Sequence, residues 1–393
     1  MAIIPETLSP ETVGEILKNA RENARMTQAA AAATLNVART TLVAIEQGQR
    51  RPRLNEMQQL AAMYGTSLNA LLRQGIAKVD LRPRFRKMGD EDHDVEEAVA
   101  LFNGLVQAEL ELEDMLGIRR SRIDPPERPL LPGNVLIQAE QGAAELRQWL
   151  GLGMAPIHDI GSLLELQLGV RVFTRRLPAK ISGLYAFDEA AGPCILLNAA
   201  HPRDRRAQSG AHEIGHFVST RRFPDTLHAD SPEISREERY ASAFARCFLT
   251  PARAVAAKFQ DLTAGAIRLT RRHIIILAHT FGVSREAMVR RLEELGLSKA
   301  GTWDWFQSHG GITDEHAREV LGDALVPDPA VTDAKRLVSM RMSVMAGEAW
   351  RRELLSEGQL ARLLHIDRVE ARELIDEFEA EGDGADESPS LLA

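Results

Sequence analysis

Residues 209–217 read SGAHEIGHF, two histidines four apart with a glutamate directly after the first. This spacing has chemical meaning only on a helix, where His212 and His216 lie one turn apart on the same face. Their imidazoles can then take two corners of a tetrahedral zinc site, with Glu213 beside the metal as general base. At average residue usage a chain of this length shows the pattern by accident on the order of once in a hundred times, so the flanking sequence has to decide. Two histidines leave a third protein ligand to be found, with the fourth position left to water.

Upstream, GVRVFTRRLP, SGLYAFDE and CILLN (194–198) are rich in β-branched and aromatic residues and predict three short strands of a small sheet. Strands leading into a zinc-binding helix are common to compact zinc peptidases, and an edge strand of such a sheet can hold an extended peptide. Helices are predicted before them at 135–150 and from His158 to Leu168. Downstream, SREERYASAFARCFLTP (235–251) predicts a helix with small residues, Ala241, Ser242 and Ala245, toward one face, which allows close approach to the histidine helix. Glu238 shares a face with Ala241 and is the best third ligand, although Ser235-x-x-Glu238 is also a capping box that needs no metal. Glu237 is its nearest rival, and His201 and His228 could reach in from loops.

The composition, 44% hydrophobic and 26% charged over 393 residues, suits a soluble protein of two or three domains. The N-terminal segment lacks the basic and apolar regions of a signal peptide, and no apolar run is long enough to span a membrane. Two cysteines, Cys194 and Cys247, exclude a disulfide framework and a Cys-x-x-Cys metal site. A reducing cytoplasm is the expected compartment. The net charge of −8 argues against wholesale coating of nucleic acid, yet residues 11–78 carry nine Lys/Arg against five acids. That segment reads as five short helices: Thr27 caps an alanine-rich helix, Leu35-Asn36-Val37 turns, and Ala38–Ile45 forms a second helix ending near Gly48. A helix from Leu54 to Tyr64 follows, and Ser67 caps a last one. A helix, a tight turn and a second helix beginning with Arg39, Thr40 and Thr41 is the helix-turn-helix arrangement, whose second helix enters the major groove N-terminus first. Gln28, at the start of the preceding helix, is placed to touch a phosphate or a base edge.

Between these regions, DLRPRFRK (80–87) is basic and GDEDHDVEE packs six acids between Asp90 and Glu97. A helical pattern runs from Val95 to Leu116 before IDPPERPLLPG breaks the chain. Residues 76–132 show few apolar anchors and are the expected site of any cut within the chain itself. The C-terminal hundred residues predict helices with a turn at His365-Ile366-Asp367, read as an interaction module, and an acidic disordered tail.

Along roughly residues 12–74, MTQAAAA, LNVARTTLVAIEQGQRRP and LAAMYGTSLNALL resemble XRE-family (Cro/repressor-type) helix-turn-helix domains. From Pro156 to Pro251, PIHDIGSLLELQLGVRVF, ISGLYAF, ILLN, SGAHEIGHF and the helix ExxAxxFARCFLTP resemble the ImmA/IrrE metallopeptidases. The second resemblance implies Zn2+ held by His212, His216 and Glu238, with Glu213 as catalytic base. Tyr240 and Ser242 depart from the family, which more often has an acid and an asparagine or aspartate there. The helix pair of HIIILAHTFGVSREAMVRRLEELGL (273–297) also follows the family, as a structural element. The expected fold is mainly α with a small β-sheet (α+β). It comprises a five-helix helix-turn-helix domain (10–76), a charged linker with a helix (77–132), a zincin-like peptidase domain (133–298), a helical C-terminal module (299–380) and a tail (381–393). The implied function is a DNA-binding regulator that cleaves an XRE-type repressor, or its own chain, on a stress, DNA-damage or phage signal. The partners so implied are a double-stranded DNA operator, a second copy of the chain as homodimer, and single-stranded DNA as activator, with no membrane. The alternative is a regulator whose peptidase-like domain only senses or dimerises. For the oxyanion, the sequence offers Tyr185 and Arg203.

Overall fold

The computed structural model describes residues 9–64, 81, 93–120, 122–221, 235–322 and 337–382. The helix predicted after Ser67, nearly all of the basic stretch 80–87, His228 and the tail beyond Gly382 lie outside the described residues. The fold is mainly helical with one small sheet, in two compact units, residues 1–78 and 79–393.

The first unit has four described helices: α1 (Pro10–Asn23), α2 (Gln28–Thr34), α3 (Arg39–Glu46) and α4 (Leu54–Met63). Local chemistry sets their starts. Ser9 and Thr27 cap α1 and α2 by accepting the Thr12 and Ala30 amides, and Pro10 occupies the first turn, where it forfeits no helical hydrogen bond. The turn between α2 and α3 places Asn36 at φ +53°, a left-handed conformation that asparagine tolerates. Leu17, Ala31, Leu42, Ile45 and Leu60 form the core. Gly14 lets α1 cross the end of α3, since a Cβ there would stand 2.5 Å from the Ile45 carbonyl oxygen.

In the second unit the three predicted strands form, as β1 (Arg171–Arg175), β2 (Gly183–Asp188) and β3 (Gly192–Asn198). Their order is β1-β3-β2, with β3 parallel to β1 and antiparallel to β2, so Ile195 sits between Val172 and Tyr185. Every residue of β3 is buried, as expected of a strand covered on both faces. On one face Val172, Tyr185, Ile195 and Leu197 pack with Ala211, Ile214 and Phe217 of α5 (Arg203–Ser219) and with Phe244 and Phe248 of α6 (Arg236–Leu249). On the other, Phe173, Leu184, Cys194 and Leu196 meet Phe102 and Leu105 of the helix His93–Leu116, and Met342, Met345 and Leu360 near the C-terminus. A third core joins the helices from Ala252 to Leu321 through Val255, Leu277, Phe281, Met288 and Phe306. Residues 299–380 are therefore not one packing unit: Thr302–Leu321 joins the third core and Met340–Gly382 covers the sheet. The helix predicted from His158 to Leu168 starts at Ile160 and ends in a π turn, with the Leu168 amide bonded to the Leu163 carbonyl.

Buried charges tie the covering helices to the sheet. Arg171 of β1 donates to both carboxylate oxygens of Glu113, at 2.9 and 2.8 Å, and pairs with Glu109 at 2.9 Å. Arg341, at the start of the helix Met340–Arg351, reaches the same two glutamates at 2.7 and 2.6 Å, and Arg120 reaches Glu109 at 3.3 Å. Burial alone would raise the Glu113 carboxyl, but hydrogen bonds and charge from Arg171 and Arg341 hold it below its ordinary value. Within the described part of residues 76–132 the helix His93–Leu116 is anchored in the core, contrary to the expectation of few apolar anchors, whereas the non-helical stretch 117–132 is mostly exposed, with Ile123 and Leu131 on the surface and only a few tethers to the fold. Phe102, Leu105 and Leu112 are fully buried, the Arg128 amide bonds the Val218 carbonyl, and Arg221 donates to the Pro125 carbonyl at 2.5 Å. Among the described residues no helix is long and apolar enough to cross a membrane.

Removing one member of a buried ionic cluster strands its partners. Arg171→Ala is expected to lower unfolding free energy by about 3–5 kcal/mol. Urea denaturation measures this, and a loss below about 1 kcal/mol would show the cluster to be dispensable.

Candidate metal centre and nucleic-acid interface

Helix α5 runs directly on from β3, and its inner side is buried from Gly210 onward except at His212 and Glu213. Gly215, inside the His-Glu-x-x-His, faces α6, and a Cβ there would stand 2.9 Å from the Ala241 Cα. The two backbones can touch at this crossing because one residue has no side chain and the other only a methyl. Ser235 caps α6 by accepting the Glu238 amide, which sets Glu238 in the first helical turn, three residues before the crossing.

The crossing brings three side chains together. His212 Nε2 and His216 Nε2 are 3.2 Å apart. Glu238 Oε2 lies 3.4 Å from the first and Oε1 lies 3.5 Å from the second. Among the described residues these three form the group of His, Cys, Asp and Glu able to hold a metal ion. Tetrahedral bonds of about 2.0–2.1 Å require donor atoms roughly 3.3 Å apart; the two imidazole nitrogens meet that spacing, and each Glu238 oxygen meets it toward one of them. Burial works to raise the Glu238 carboxyl, but hydrogen bonds and charge from His212 and His216 outweigh it and hold the group far below the usual carboxylate range. Ser242 Oγ lies 3.4 Å from His212 Nδ1. A proton on that nitrogen would leave Nε2 as the lone-pair donor, which is the tautomer a metal ligand needs.

Glu213 is half-buried on the neighbouring side of α5, across from the start of edge strand β2. A Cβ added at Gly183 would stand 3.5 Å from Glu213 Oε1, so the glycine keeps space over that carboxylate. Other sequence candidates lie elsewhere. His201 bonds the Ala179 carbonyl at 3.1 Å, and neither it nor Glu237 belongs to the metal-binding group. Arg203 bonds the His158 carbonyl at 2.5 Å, about 13 Å of helix from His212. Tyr185 is buried against Phe217. Tyr240 does not support His212 as Ser242 does; it is buried with its hydroxyl toward Gly142 on the helix Val135–Trp149. The importance of Gly215 was missed from sequence, although a glycine inside a helical run is itself a signal of close packing.

In the first unit, Arg39 and Thr40 are exposed at the start of α3 and Thr41 is half-buried. Gln28 bridges inward: its Nε2 donates to Glu46 at 2.9 Å, and its Oε1 accepts from Arg39 at 3.4 Å. Glu46 is in turn paired with Arg21 at 2.6 Å, with both side chains nearly fully buried. The outermost arginine is thus the end of a chain of bonds rooted in the core.

Comparison with known proteins follows these divisions. Residues 17–71 match a helix-turn-helix family, and residues 166–293 match the peptidase M78 family, described as the IrrE N-terminal-like domain. A helix-turn-helix DNA-binding domain and a metallopeptidase-family domain therefore share one chain. No curated protein matches the chain significantly. Among solved structures, ComR from Streptococcus suis aligns over 97% of both chains at 11% identity with a TM-score of 0.16, a score that supports no inference about this chain.

Gly215→Val is expected to force α6 away from α5 and to abolish stoichiometric metal uptake. Equilibrium dialysis with circular dichroism checks this, and a folded variant with undiminished metal would contradict the role of the crossing. On DNA, Arg39→Ala should weaken binding to a selected operator by roughly 1–3 kcal/mol if the contact is to a base edge. Unchanged affinity and sequence preference in a binding assay would show α3 to be misassigned.

Proposed function

We propose that this chain is a DNA-binding regulator whose second unit is a zinc-dependent endopeptidase acting on a repressor-type transcription factor. The observation that carries the reading is the convergence of His212, His216 and Glu238 as a group able to hold a metal ion, the two histidines on the helix that also carries Glu213. A bound zinc supplies Lewis-acid polarisation of a carbonyl and makes a water more acidic. The chain's own residues do the rest. Glu238 contributes a negative charge that suits a dication, and Ser242 holds the His212 ring. Glu213 takes the proton of the attacking water and returns it to the leaving amine. Among the described residues β2 is an edge strand of the sheet, alongside which an extended substrate can lie.

The reading joins two activities whose combination has a use: hydrolysis ends the action of a DNA-bound repressor irreversibly. The target is a separate XRE-type repressor or this chain's own exposed stretch, since the helix His93–Leu116 is built into the core while residues 117–132 are mostly exposed. A cut within the same chain would have to fall outside the helix His93–Leu116. Homodimer formation on a palindromic operator, and activation by single-stranded DNA or another damage or phage signal, complete the proposal.

Purified protein is expected to hold about one zinc per chain. His212→Ala or His216→Ala should lose it, whereas Glu213→Gln should keep zinc and lose cleavage. Metal analysis and fragment mapping by mass decide: zinc retained by the histidine variants, or cleavage persisting in Glu213→Gln, would overturn the assignment.

A further inference from the structure

We propose that Arg205 makes this site select peptides bearing an acidic side chain within about two residues of the bond to be cut, an inference that rests on the peptidase reading above. Helix α5 opens with Arg203, Asp204, Arg205 and Arg206. Cations at a helix N-terminus oppose the macrodipole, so three in one turn carry a cost that packing or function must offset. Two are accounted for by packing. Arg203 bonds the His158 carbonyl beside Asp159, and Arg206 bonds the His201 carbonyl at 2.7 Å. Arg205 is exposed, and its guanidinium meets only a hydroxyl, Ser182 Oγ at 3.3 Å; it has no acidic partner among the described residues.

Position gives that cation a use. Ser182 immediately precedes edge strand β2, and the next residue, Gly183, lies over Glu213. Along α5, Arg205, Ser209 and Glu213 recur at intervals of four and share a face. An extended peptide on the outer edge of β2 advances about 3.3 Å per residue. With its reacting bond at Glu213 over Gly183, the side chains one or two residues on, past the N-terminal end of β2 at Ser182, come beside the Arg205 guanidinium. A substrate carboxylate there can replace the Ser182 hydroxyl with paired charge-assisted hydrogen bonds, and the positive end of α5 adds to the attraction.

The test uses the zinc-loaded full chain and fluorescein-labelled ten-residue peptides of Ala, Leu and Ser, with one Glu, Gln or Lys scanned through every position. Two readouts are taken: kcat/KM for the wild type, and equilibrium binding to Glu213→Gln by anisotropy. Glu is expected to beat Gln by about three- to tenfold at one or two adjacent positions, with Lys poorer still, and the preference should shrink with added salt. Arg205→Glu, with zinc content and circular dichroism matching wild type, should reverse the order to favour Lys. Arg205→Gln, which can still bond Ser182, should abolish the preference without reversing it. An unchanged ranking in Arg205→Glu, or no binding of any peptide, would overturn the proposal. If cleavage depends on Glu213 but is indifferent to Arg205, the proposal fails and the peptidase reading stands. If Arg205-dependent binding of Glu peptides occurs with no cleavage, the specificity stands and the peptidase reading fails.

Discussion

The close crossing of α5 and α6 at Gly215 and Ala241 is the constraint on which the rest of the site depends. A metal ligand set assembled from two helices needs donor atoms placed to within a few tenths of an ångström. Loops rarely hold that tolerance; two backbones in contact do. The crossing is itself braced from behind. Tyr240 lays its hydroxyl against Gly142, and Arg147 of that same helix donates to the Phe248 carbonyl at 2.7 Å. Displacing α6 outward would therefore disturb a buried aromatic row, Tyr240, Phe244 and Phe248, as well as Glu238. Bringing Glu238 between two imidazoles costs hydration, and the offset from their hydrogen bonds and charge exceeds that cost.

A second constraint lies on the far face of the sheet. Arg171 sits on a strand whose neighbour, β3, runs into the histidine helix, and the carboxylates that neutralise it come from the helix His93–Leu116. Arg341 closes the cluster from the C-terminal helices. The C-terminal segment is thus part of what holds the sheet, and the sheet positions α5. The first unit has its own small version of the same device in the buried Arg21–Glu46 pair, which orients Gln28 and through it Arg39.

Much of this was legible in the sequence where the signal is local. Histidine spacing, the caps Thr27 and Ser235, and the β-branched strands all act over a few residues, and the corresponding elements form. The choice among Glu238, Glu237 and His201 could not be made from spacing, because it depends on where a second helix crosses. Tyr240 was open to a simple count: at about 100° per residue it lies roughly 200° from Glu238, while Ser242 lies roughly 40° from it. Helical geometry alone separates the one that touches His212 from the one that faces away. The buried cluster was hidden because its members are far apart in sequence, Glu113 and Arg171 by 58 residues. An arginine in a short strand reads as solvent-facing until its partner is known. The apolar run Cys194–Leu197 is the kind of sequence a strand covered on both faces carries, but it does not say which segment supplies the cover.

The central claim is that His212, His216 and Glu238 hold one zinc ion with a position left open for chemistry. X-ray absorption at the zinc edge on the purified, zinc-loaded chain tests it most directly. Two imidazoles and low-Z ligands at about 2.0–2.2 Å, with no sulfur shell, are the expected result, and the imidazole signal should vanish in His212→Ala. A sulfur shell at about 2.3 Å, or an imidazole signal unchanged in that variant, would place the metal elsewhere and contradict the site.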